Sequence, residues 1–160
     1  MNREIKFRGK GIEEYDKDKW YYGSYFIYNA INYFCLDDGS RTKEIDEKIK
    51  NNIKYKIIFE VQGDLNMENH IKLADVNPET VGQYTGLDDK NGKEIYEGDI
   101  VKYRDSRGQH IEKVIFDKGC FYAGIHWGSS TRVAPKLINT RITEVIGNIY
   151  DNPELLGEKE

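Results

Sequence analysis

The chain is poor in the residues that mark several protein classes. Of its 160 residues only two are cysteine, Cys35 and Cys120, with no C-x-x-C pair. Both sit in apolar stretches, which points to buried free thiols in a reducing compartment rather than a disulfide framework. Three prolines and 15 glycines exclude collagen and a fully disordered chain. Long apolar runs are missing too. Residues 21–36 carry no charge, but they include Gly23, Ser24, Asn29 and Asn32. They also fall short of the roughly 20 apolar residues of a spanning helix. The opening MNREIKFRGK has no apolar segment of the kind a signal peptide needs. Neither charge sign dominates: 24 basic and 28 acidic side chains give a net charge of -4. No whole-protein positive field draws it to nucleic acid or anionic lipid. Alanine is scarce, which weighs against a helical fold.

Aromatic and β-branched residues are plentiful, with 12 tyrosines among them, and these favour strands. Alternation predicts a first strand over residues 4–8, with Ile5 and Phe7 on one face and charges on the other. Residues 20–28 and 31–36 read as a hairpin. On its first strand Tyr21, Gly23, Tyr25 and Ile27 alternate with Tyr22, Ser24, Phe26 and Tyr28. Both faces are apolar or aromatic, so the strand is covered on both sides or meets another chain. Residues 42–52 form the one helix-like stretch of this half, with Ile45 and Ile49 one turn apart. Strands follow at 53–61 and 71–74, separated by the polar, turn-rich residues 62–69.

Asn77-Pro78 opens a new segment. Asn91-Gly92 is the best hairpin-turn signal in the chain. Strands are expected at 100–103, 111–117, 121–127 and 144–150, and Pro135 keeps 135–137 out of a sheet centre. The expected fold is β-dominated α+β. A small SH3-like barrel forms the C-terminal half, 78–157, and an N-terminal segment, 1–77, adds a hairpin and one short helix.

Several blocks then look familiar. They are Arg3-Glu4-Ile5-Lys6-Phe7-Arg8-Gly9-Lys10 and Trp20-Tyr21-Tyr22-Gly23. Next come Pro78, Thr80-Val81-Gly82-Gln83-Tyr84-Thr85-Gly86-Leu87 and Asp89-Lys90-Asn91-Gly92. The last are Ile95-Tyr96-Glu97-Gly98-Asp99-Ile100-Val101 and Glu144-Val145-Ile146-Gly147-Asn148-Ile149-Tyr150, with Asn152-Pro153-Glu154-Leu155. In this order the chain resembles the YopX family of phage and prophage proteins. Residues 37–75 carry no such pattern. The resemblance implies a mostly β, intracellular protein encoded by a phage or related element, hence a bacterial cytoplasmic location. It implies no activity.

Read physically, Gly86, Gly92 and Gly98 are turn positions needing positive φ or close backbone approach. Gly98-Asp99 resembles the strand entry of SH3-like barrels, where the carboxylate satisfies backbone donors of the preceding turn. His70, His110 and His126 have no metal-ligand spacing, and no serine or cysteine has a nucleophile setting. The acidic run Asp88, Asp89, Glu94, Glu97 and Asp99 lacks EF-hand spacing and reads as a solvated hairpin tip. No cofactor, metal or catalytic group is expected, so the chain reads as a non-enzyme.

Two binding surfaces remain. The aromatic strand offers Tyr21, Tyr22, Tyr25 and Tyr28 to a protein partner or a second copy, unless residues 37–75 bury them. From Lys102 to Arg141 eight basic residues outnumber three acids, with Phe116, Phe121, Tyr122 and Trp127 interleaved. Lys102, Arg104, Arg107, Lys113 and Arg132 then form a nucleic-acid-binding alternative, with rings available to stack bases. The competing reading puts those rings in a barrel core and those charges on its solvated exterior.

Overall fold

The computed structural model describes residues 4–29, 43, 47, 50–61, 70–106, 108–123 and 136–157. Two compact units divide the chain: residues 6–81, and residues 82–160 together with 1–5.

In the first unit four antiparallel strands lie in the order β4-β3-β2-β1: β1 Phe7–Lys10, β2 Trp20–Asn29, β3 Ile53–Val61 and β4 His70–Asp75. The expected strand 31–36 lies outside the described residues. β2 is paired with β1 through Trp20–Gly23 and with β3 through Ser24–Asn29. One face carries the core of Tyr21, Ile57, Ala74 and Val76, flanked by Phe7, Tyr25, Tyr55, Phe59 and Val81. Tyr21 is anchored there by donating its hydroxyl to Asp16 Oδ2 at 2.7 Å. That bond, with burial and the Asp16 charge, pushes the phenol up to about 12. Asn77 caps the 3-10 turn Pro78–Thr80 by accepting from Glu79 N–H at 3.0 Å.

The first strand departs from expectation. It starts at Phe7 rather than at residue 4, Ile5 is exposed, and Arg8 is buried. Simple alternation puts Arg8 in water, but its guanidinium packs 4.7 Å above the Trp20 ring, a contact that shields a weakly hydrated cation. In the helix-like stretch Lys43, Glu47, Lys50 and Asn51 are helical and exposed; Ile45 and Ile49 lie outside the described residues.

In the second unit β5 (Gly82–Asp88) and β6 (Glu94–Tyr96) form a hairpin around Asn91-Gly92. A five-stranded antiparallel sheet has the order β10-β9-β8-β7-β11. Its strands are β7 Asp99–Asp105, β8 Gly108–Asp117, β9 Cys120–Ala123, β10 Lys136–Leu137 and β11 Glu144–Asn148. Ile95, Val101, Tyr103, Val114, Ala123 and Val145 make its core. The sheet ends at β10 and β11, which do not pair, so among the described residues it stays open instead of closing into the expected barrel. Closure needs two edge strands that share a ladder, and the described part of β10, Lys136–Leu137, pairs with β9 alone.

Asp89 organises this unit. It is 6% exposed and its carboxylate accepts three backbone N–H bonds. Oδ1 takes Asn91 at 2.7 Å and Lys93 at 3.0 Å, and Oδ2 takes Val145 at 2.9 Å. One side chain thereby closes the β5–β6 turn and fixes the start of β11. Burial pushes its carboxyl up, but the three N–H donors and the Lys93 charge outweigh burial and hold it below its ordinary value. Lys90 reinforces the join, with N–H to Thr143 O at 2.9 Å and Nζ to Glu144 at 2.7 Å.

Asp99, also buried, accepts from Tyr96 N–H at 2.8 Å across the turn that Gly98 makes at φ 82. The reading of the acidic run as a solvated tip is therefore corrected: Asp89 and Asp99 are interior carboxylates serving backbone donors. Tyr84 donates to Asp88 at 2.8 Å. Burial, that bond and the nearby carboxylates push its phenol up to about 12.

Candidate functional site

Cross-strand partners share a face of a sheet, so the registers of β1–β4 map the side opposite the first unit's core. On β2 that side carries Tyr22, Ser24, Phe26 and Tyr28, and on β3 it carries Lys54, Lys56, Ile58 and Glu60. β4 adds Ile71, Leu73 and Asp75. Four large apolar side chains are open to solvent there: Tyr22 at 44%, Phe26 at 47%, Leu73 at 54% and Ile71 at 73%. Ile58 and Tyr28 are half-buried between them, and Phe26 and Tyr28 stack at 5.6 Å. Lys56 bonds Asp75 at 2.5 Å, a bond that holds the ammonium above its ordinary range against the opposing effect of burial. The same side also carries Lys54, Lys56, Glu60 and Asp75, and on the opposite side Ile27, paired with Tyr55, is 54% exposed.

The four tyrosines named from the sequence separate across the sheet. Tyr21 is buried and Tyr25 half-buried in the core, while Tyr22 and Tyr28 lie on the outward face. Tyr25 has its phenol pushed up by burial and by Tyr55. Phe26, Ile71 and Leu73 were missed. Their signal was present as Ile71 and Leu73 flanking Lys72, but alternation says nothing about which face is covered.

Of the basic set, Lys102, Arg104 and Lys113 share one face of β7–β8, because Lys102 pairs with Ile111 and Ile100 with Lys113. Arg104 and Lys113 are exposed. Arg107 and Arg132 lie outside the described residues. Glu144 pairs with Lys102 and dilutes the charge of this face. Tyr122 lies on the same face, opposite Ile115, whereas Phe116 and Phe121 meet on the other face at 4.8 Å. Phe116 is exposed, so among the described residues these rings lie on two faces of the sheet; Trp127 lies outside the described residues. Cys120 is exposed, not buried; it opens β9, paired with Asp117 across the turn. Cys35 lies outside the described residues.

His110 Nε2 sits 2.9 Å from Asp105 Oδ1 and its ring stacks on Tyr103 at 4.9 Å. His70 is exposed at the start of β4, and His126 lies outside the described residues. Among the described residues no group of three His, Cys, Asp or Glu is placed to hold a metal ion, and no helix is long and apolar enough to cross a membrane. The turn glycines Gly86, Gly92 and Gly98 all have φ near 80°.

A family model described as "YopX protein" matches residues 6–157. The chain belongs to the YopX family. In this YopX chain the block Trp20-Tyr21-Tyr22-Gly23 divides its labour. Trp20 supports Arg8, Tyr21 fills the core, Tyr22 faces outward, and Gly23 lets β3 approach. Among curated proteins none matches the chain. A solved structure, the crystal structure of protein EF1440 from Enterococcus faecalis, is similar at 21% identity and a TM-score of 0.45. That match covers 97% of this chain and 99% of that one.

Proposed function

We propose that this YopX chain is a phage or prophage accessory protein that acts without catalysis, in the bacterial cytoplasm, by binding protein. The observation that carries this reading is the outward face of β2–β4, where Tyr22, Phe26, Ile71 and Leu73 are exposed on one side of a sheet whose other side already has its core. Rigid aromatics give a large contact area at small entropic cost. Affinity capture from the cells that make the protein tests it. Wild type is expected to retain a specific polypeptide, and Phe26→Glu combined with Leu73→Glu to reduce that retention at least about 10-fold, since central apolar anchors dominate interface energy. Equal retention by both proteins contradicts the reading.

A second reading is favoured by the shared face of Lys102, Arg104 and Lys113, which suits a phosphate backbone. It predicts salt-dependent retention of single-stranded DNA or RNA, weakened by Arg104→Glu with Lys113→Glu. No mobility shift at low salt removes it.

A further inference from the structure

We draw no further inference here: the strongest candidate, the outward face of β2–β4 with Tyr22, Phe26, Ile71 and Leu73 exposed, is the surface already described, and nothing in the structure shows what covers it.

Discussion

Replacing Asp89 with alanine is expected to lower the unfolding free energy by about 2–4 kcal/mol, because it orphans three backbone donors at once. Asn91 and Lys93 lie at an exposed turn, where water can take over their N–H groups. Val145 is 8% exposed, so its N–H, held at 2.9 Å by Oδ2, has no such substitute. Asp89→Asn should be nearly as damaging. An amide offers one acceptor oxygen, and its NH2 must then face either the Val145 donor or the Asn91 and Lys93 donors. The pH dependence has a definite sign. The folded carboxyl titrates below its ordinary value of 3.8, so its contribution is complete above that pH and is lost as pH falls through the lower folded value. Urea titrations at neutral pH and at about pH 3 check both points. An Asp89→Asn midpoint equal to wild type at neutral pH contradicts this role.

Gly23→Ala is expected to cost at least about 3 kcal/mol, at the upper end for an added methyl group. A Cβ at this position would run into the carbonyl oxygen of Ile58 on β3, and no rotamer change moves a backbone oxygen. Relief requires β2 and β3 to separate next to the paired Ser24 and Ile58, beside Ile57 at the centre of the core. The loss should appear as a lowered thermal midpoint with faster amide exchange in β3. Exchange in β7 and β8 gives the internal comparison. An unchanged midpoint contradicts the close approach.

These two residues also show what the sequence discloses. Composition and alternation were enough for the β class, for β3 over Ile53–Val61 and for the Asn91-Gly92 turn, because each signal is local. Asp99 was readable for the same reason, its bonded donor on Tyr96 being three residues away. Asp89 was not, since its key donor on Val145 lies 56 residues off and an acidic run looks solvated until its partners are known. That the second sheet stays open among the described residues was hidden likewise: strand signals give the number of strands, while closure depends on whether the two edges meet. The binding face was half legible. β2 announces two aromatic sides, yet only the registers with β1 and β3 decide that Tyr21 and Tyr25 are interior and that Tyr22, Phe26 and Tyr28 face out. The contribution of β4 to that face, through Ile71 and Leu73, depends on its pairing with Ile58 and Glu60.

The central claim is that another polypeptide covers the outward face of β2–β4. The most direct measurement places a photoreactive benzophenone side chain at position 26, at position 73 and, for comparison, at position 104, and irradiates cells producing the protein. The account predicts a discrete polypeptide adduct from positions 26 and 73, at twice the chain mass if the partner is a second copy, and none from position 104. No adduct at 26 and 73, or equal labelling at all three positions, would contradict it.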